Sequence, residues 1–300
     1  MADSYIALNQ SSPVPFYHQL RLQPEAQTPR IRLLVLDVDG TLLTTDYHIT
    51  AATRAAVQEV TARGVQVVLA SARSPSGLRP ILAELGISGL AIAYTGALTC
   101  RLSPDSHLSI EVMTERRMDL SSAHAILRRM LDLGISVSWF TGDHWYIPAW
   151  DAAIRRESAI TGVVPIVAPD LAHFTEAPHK VLCIAGTAEQ LTSLQQEART
   201  LPSDCLGEFS HPTYLEITHQ GVDKATALLA LGQQLGIPPT AMVAIGDGAN
   251  DITMLKVVAV GIAMGHAPPA VQAAADWVTN TNDQDGVALA LKRLRATGWL

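Results

Sequence analysis

Two aspartates, Asp37 and Asp39, close the apolar run Leu33–Leu36 in the stretch L-L-V-L-D-V-D-G-T-L. A second acidic group, Gly246-Asp247-Gly248-Ala249-Asn250-Asp251, closes the apolar run Ala241–Ile245. Like charges this close call for a divalent cation, a shared proton, or a division of labour between nucleophile and acid. Each run reads as a buried parallel strand, and in open α/β sheets ligands collect at the carboxyl ends of such strands. Both groups are therefore expected on one rim, with Ser71 and Thr95 ending two further strands. Three or four hard carboxylate ligands suit Mg²⁺ better than zinc or iron, and magnesium also takes substrate phosphate oxygens. The chemistry indicated is phosphoryl transfer. Asp37, the last strand residue, is placed to attack phosphorus and give an aspartyl-phosphate. Asp39 is placed to protonate the leaving oxygen and then to draw a proton from water. The Ser71 hydroxyl, backbone N–H groups near Gly40, and Lys224 are the candidates for neutralising the phosphoryl oxygens. Arg73 either binds phosphate or pairs with a surface acid.

The elements that must position these groups follow from the pattern. Thr50 caps a helix predicted over 51–63, Val65–Ala70 is a strand, 76–85 a helix and Leu90–Tyr94 a strand. This alternation is the signature of a parallel crossover sheet. It changes near Ala97. An alternating stretch His107–Met113, a helix over 120–133, strands over 135–140 and 144–147, and strands over 180–185, 205–210 and 213–218 have hairpin-like spacing. The crossover pattern resumes with a helix over 223–235 and the strand at Ala241. The fold expected is α/β: a Rossmann-like parallel-sheet core formed by residues 31–96 and 213–300, with an inserted α+β block over 97–212. Residues 1–30, rich in proline steps, read as a flexible tail.

Composition narrows the function. The 300 residues are 48% hydrophobic and 16% charged with a formal net charge of -7, enough for a full core and without the basic excess of a nucleic-acid binder. Small anionic substrates remain compatible, because a bound cation reverses the local field. Cys100, Cys183 and Cys205 lack metal-site or disulfide spacing and read as buried free thiols. No apolar run has membrane-spanning length and the start has no secretory pattern, so the cytoplasm is the expected compartment and no membrane partner is expected. Neither a P-loop nor a G-x-S-x-G elbow nor a G-x-G-x-x-G turn occurs at the opening strand. His173 and His179, flanking a loop-like stretch, read as surface residues. Trp139, Trp145 and Trp150 read as the inserted block's core or its face toward the cleft.

These motifs resemble those of haloacid-dehalogenase-superfamily phosphatases, in the Cof-type subgroup with a large α/β cap (class IIB). The family's D-x-D-G-T is matched by Asp37–Thr41, its T-G-R by Ser71-Ala72-Arg73, its lysine by Lys224, and its G-D-x-x-N-D by Gly246–Asp251. The resemblance covers residues 31 to 300. It implies that Asp37 is the nucleophile and Asp39 the general acid/base. It implies that Asp37, the main-chain carbonyl of Asp39 and Asp247 hold Mg²⁺, with Asp251 supporting the metal directly or through water. Ser71 and Lys224 would bind and neutralise the phosphoryl group, and Asn250 would help position it or the lysine. The inserted block would be a cap that closes over a small phosphorylated metabolite such as a sugar phosphate, pyridoxal phosphate or flavin mononucleotide. Two departures stand out: Ala72 replaces the common glycine, and Thr95 stands where relatives often carry Asn. A phosphotransferase or phosphomutase on the same scaffold, or a non-catalytic binding protein retaining it, are the alternatives. The sequence leaves monomer and homodimer equally open.

Overall fold

The computed structural model describes residues 31–103 and 110–300. The expected N-terminal tail lies outside them, as do the first residues of the stretch His107–Met113. The first sheet is built from β1 (Leu33–Asp37), β2 (Gln66–Ala70), β3 (Gly89–Ala93), β4 (Leu98–Leu102), β5 (Glu111–Glu115), β12 (Met242–Gly246), β13 (Val260–Ala263) and β14 (Trp277–Val278), in the order β14-β13-β12-β1-β2-β3-β4-β5. Pairing is parallel from β14 to β3 and antiparallel for β4 and β5.

The opening run is apolar throughout because both faces of β1 are covered. Leu34 and Leu36 join one cluster with Val57 of α1 (Ala51–Ala62), Leu78 and Leu82 of α2 (Pro75–Leu85) and Leu291 of α9 (Gly286–Ala296). Leu33 and Val35 join another with Leu228 and Leu231 of α6 (Lys224–Leu235) and Met254 and Leu255 of α7 (Ile252–Val257). Side chains that alternate across a strand between two helical layers give a continuous hydrophobic run. β1 has β12 on one side and β2 on the other, so the chain leaves it in opposite directions. That reversal opens a crevice at the carboxyl end of β1, where a ligand site forms in such sheets.

The second sheet comprises β6 (Ser136–Thr141), β7 (His144–Ile147), β8 (Ile166–Val167), β9 (Lys180–Ile184), β10 (Cys205–His211) and β11 (Tyr214–His219), ordered β10-β11-β9-β6-β7-β8. One face packs on α3 (Leu120–Asp132) and α5 (Ala188–Glu197), where Trp139, Val181 and Cys183 meet Ile126, Leu127 and Leu194. The other face presents Phe140 and Leu182 and, with Trp145 and Ile154 of α4 (Ala152–Thr161), merges into the cluster under the first sheet. Trp139 is thus core and Trp145 lines the cleft, while Trp150 is half-buried under Arg155. The three cysteines are buried and free. Among the described residues no helix is long and apolar enough to cross a membrane.

Three details differ from the sequence reading. The pattern change at Ala97 is not a change of sheet: β4, buried between β3 and β5, and the exposed edge strand β5 extend the first sheet antiparallel, and antiparallel neighbours have the spacing of a hairpin. The return at 213 likewise comes one strand early, because β11 belongs to the second sheet. His179 is a buried residue and not a surface one. Its Nδ1 accepts from the Gly142 N–H at 3.1 Å, its Nε2 donates to Glu115 at 3.0 Å, and its ring stacks on Tyr94 at 5.7 Å. Burial, then the nearby Arg117, hold it below the usual imidazole range against the opposing pull of Glu115. It was hidden because it directly precedes the apolar strand β9 at the end of a loop. His173 is exposed as expected and pairs with Asp170.

His179→Ala would orphan the Gly142 N–H and leave a void, so a loss of about 2–4 kcal/mol is expected in denaturant unfolding. His173→Ala should stay within about 0.5 kcal/mol of the parent, as surface substitutions do. Equal effects of the two would contradict the assigned burial.

Candidate active site

Asp37 ends β1 and is buried, its side chain 10% exposed, on the wall of a cavity of about 1080 Å³. Asp247 follows β12 next door, and Asp251 lies one turn further on, fully buried. Carboxylate oxygens of Asp37, Asp247 and Asp251 all come within 4.8 Å of one another. The sequence reading of two acidic groups on one rim is therefore what the chain builds.

Lys224, fully buried at the start of α6, holds this group together. Its Nζ donates to Asp37 Oδ1 at 2.6 Å and to Asp251 Oδ1 at 2.7 Å. Burial alone would favour the neutral amine, but Asp251 and Asp37 outweigh it and hold the ammonium charged well above the ordinary lysine range. Burial pushes the Asp37 carboxyl well up, Asp251 and Asp247 add to the rise, and Lys224 opposes it. Asp247 is raised as well, mainly by burial and then by Asp251, with the Thr41 hydroxyl pulling the other way. Three carboxylates against one ammonium leave a net negative site.

The loops explain the motif residues. Thr41 Oγ1 donates to Asp247 Oδ1 at 2.6 Å, tying the two acidic segments across the sheet. Gly40 has φ +85°, and a Cβ there would collide with the Asp247 carboxylate, so the position excludes a side chain twice over. Asp251 Oδ2 accepts from the backbone N–H groups of Asp247 and Gly248 at 2.9 and 2.8 Å. With its other oxygen on Lys224, Asp251 fixes the turn and the lysine together.

Ser71, ending β2, is buried on the cavity wall, and its Oγ accepts from the Arg73 N–H at 3.1 Å. Asn250 and Thr95 line the same cavity. Thr95 sits at φ +58°, a left-handed conformation that a β-branched residue adopts rarely and Asn tolerates better. Asp39 is exposed, and both its oxygens accept from Arg73, from Nε at 2.9 Å and Nη2 at 2.6 Å. Arg73 therefore pairs with an acid of the site itself, which neither sequence alternative named.

Further groups that the sequence reading missed line the cavity. Lys180 reaches down from β9, donating to the Ala72 carbonyl at 2.6 Å and to Glu216 at 3.0 Å, with its ammonium 4.9 Å from the Phe140 ring centroid. Glu157 of α4 and Glu208 of β10 also face the space, and His266 lies 3.5 Å from Asp247. Lys180 alone carried a signal, as a lysine opening an otherwise apolar strand.

Residues 34–291 match the sequence profile of the family described as haloacid dehalogenase-like hydrolase. A putative phosphatase of Haemophilus influenzae is 30% identical over 260 residues, covering 85% of this chain and 95% of that protein. The HMP-PP phosphatase of Cronobacter sakazakii is 29% identical, covering 79% and 85%. A crystal structure of a haloacid dehalogenase-like hydrolase from Bacteroides thetaiotaomicron superposes with a TM-score of 0.80 at 30% identity, covering 88% of this chain and all of that one. The chain belongs to the haloacid dehalogenase-like hydrolases and falls among their Cof-type phosphatases.

Lys224→Met would leave Asp37 and Asp251 buried without their counter-charge. Unfolding free energy should fall by about 3–5 kcal/mol at neutral pH, the range for breaking a buried ion pair from one side. Chemical denaturation measures it, and an unchanged midpoint would contradict the pairing.

Proposed function

We propose that the protein is a Mg²⁺-dependent phosphatase of small organic phosphate monoesters, working through a phosphoryl group carried on Asp37. The observation that carries this reading is the buried Asp37–Lys224–Asp251 array beside Asp247 at the cavity floor. Relatives named as phosphatases of small metabolites support the substrate class, and sugar phosphates, pyridoxal phosphate and flavin mononucleotide belong in the first panel.

The donor set fits a hard divalent cation. Three carboxylates, two of them pushed up by burial and mutual repulsion, stand against one ammonium. In this reading Asp37, the Asp39 carbonyl and Asp247 hold Mg²⁺, and Asp251 supports them. Bound there, the cation would supply charge neutralisation for the phosphoryl oxygens. Asp37 Oδ attacks phosphorus as the ester P–O bond breaks, and Asp39 gives its proton to the departing oxygen. Asp39 then takes a proton from the water that displaces Asp37 from phosphorus. Lys224 favours the ionised form of Asp37 against the effect of burial and orients it, and Ser71, Asn250 and Arg73 line the path of the phosphoryl group. The block carrying the second sheet acts as the cap, excluding bulk water from the acyl-phosphate.

Asp37→Asn should lower turnover by about 10⁴-fold or more, as loss of a nucleophile does. Rapid quench with phosphate-labelled substrate should trap label on the parent and none on the variant; label on the variant would refute the assignment.

Metal binding has its own readout. Because Asp37 and Asp247 are raised in the folded chain, each stabilises the metal-free fold while protonated, and that contribution fades as pH climbs through the folded value. Mg²⁺ takes the proton's place, so its stabilisation in thermal unfolding should grow as pH rises above the ordinary carboxylate range. Asp247→Asn should abolish the shift. A shift that is flat with pH, or that survives the substitution, would count against this cation site.

A further inference from the structure

Three successive carbonyls follow β2, and they are not held alike. That of Ser71 accepts from the Thr95 N–H at 2.9 Å and that of Arg73 from the Tyr94 N–H at 3.1 Å, both donors lying in the turn after β3. The Ala72 carbonyl between them accepts from Lys180 Nζ at 2.6 Å, a side chain of the second sheet. Lys180 is buried, and Glu216 anchors its ammonium from β11 at 3.0 Å. The rings of Phe140 and Tyr94 also lie against the ammonium, their centroids at 4.9 and 5.7 Å.

The Ala72 carbonyl and the Arg73 N–H belong to one planar peptide unit and point oppositely from it, so fixing one fixes the other. That N–H donates to Ser71 Oγ at 3.1 Å. A hydroxyl has two acceptor lone pairs and one proton. With one lone pair taken by the Arg73 N–H, the Ser71 proton is turned away from Arg73 and is available to an acceptor. Ser71 is buried on the cavity wall, where a phosphoryl oxygen is such an acceptor. Rotation of the 72–73 peptide would carry its N–H off Ser71 Oγ and leave the hydroxyl free to turn.

We propose that Lys180 is a positioning residue for Ser71: by holding the Ala72 carbonyl it sets the 72–73 peptide, and through the Arg73 N–H it presents the Ser71 hydroxyl to the phosphoryl group. This rests on the phosphatase reading and extends it from the first sheet to the second. Lys180 exchanges no proton; its ammonium serves only as a hydrogen-bond donor. The orientation of the hydroxyl then depends on where the second sheet stands. The Tyr94 hydroxyl on the Gly142 carbonyl at 3.0 Å and Arg79 on Asp143 at 2.6 Å hold that sheet in place.

A double-substitution cycle between Lys180 and Ser71, on the full-length protein with Mg²⁺, tests this. The parent, Lys180→Met, Ser71→Ala and the double variant are compared by kcat/KM on the fastest ester of the panel and by calorimetric Kd for inorganic phosphate. Lys180→Met is expected to lower kcat/KM and to raise the phosphate Kd, each by about tenfold, the worth of one hydrogen bond to a charged group. In the Ser71→Ala background the same substitution should change either quantity by less than about twofold, because the group it positions is gone. A merely structural role would give the same loss in both backgrounds. If Lys180→Met does not fold, Lys180→Met with Glu216→Gln strands no buried charge and takes its place with the same expectation. Equal losses in the two backgrounds, or no loss in either, overturn the proposal alone. Parent enzyme inactive on every ester overturns the phosphatase reading and this proposal with it.

Discussion

Lys224 has no contact with solvent and holds two carboxylates, Asp37 and Asp251, at 2.6 and 2.7 Å. Much of the molecule serves that arrangement. A buried ammonium is tolerable only while its partners stay ionised, and two buried carboxylates this close are tolerable only with a cation between them. The third carboxylate, Asp247, exceeds what one lysine neutralises. The site is thus held by charge already present and remains short of positive charge, a condition that suits both a divalent metal and the phosphoryl oxygens that would accompany it.

The surrounding fold supplies what the charges cannot. Asp37 and Asp247 stand side by side because β1 and β12 are parallel neighbours, in register from Leu33 with Met242 to Leu36 with Ile245. Thr41 bridges to Asp247, and the bare backbone of Gly40 leaves room for the carboxylate. Asp251 does three jobs with two oxygens, holding Lys224 and pinning two amides of its own turn. Opposite this floor, Lys180 and Glu216 of the second sheet and Glu157 of α4 line the same cavity.

Most of the crossover half was legible because its strands lie between two helical layers and so carry uninterrupted apolar runs ended by polar residues. The candidate site residues were legible for a related reason: Asp37, Ser71 and Asp247 each follow or end such a run. β4 was not, since Leu98–Leu102 contains Thr, Cys and Arg and pairs antiparallel with β3 through a turn in which Tyr94 and Thr95 both adopt positive φ. His179 was misread because its burial depends on Tyr94, Gly142 and Glu115, none of them near it in the chain. The edges of the inserted block shifted by a strand or two because the local pattern of an antiparallel strand does not say which sheet it joins.

By itself the sequence determined the family's kind of chemistry, the polar residues at the strand ends and the presence of a second sheet between the two parts of the first. Those depend on local facts: residue type, hydrophobic period, and a polar residue at the end of an apolar run. Tertiary structure alone decided which charges meet. Arg73 takes both oxygens of Asp39, 34 residues away, and Lys180 reaches Ala72 across 108 residues. Such pairings arise from distances between elements packed by burying their own apolar faces, and a linear pattern holds no record of those distances.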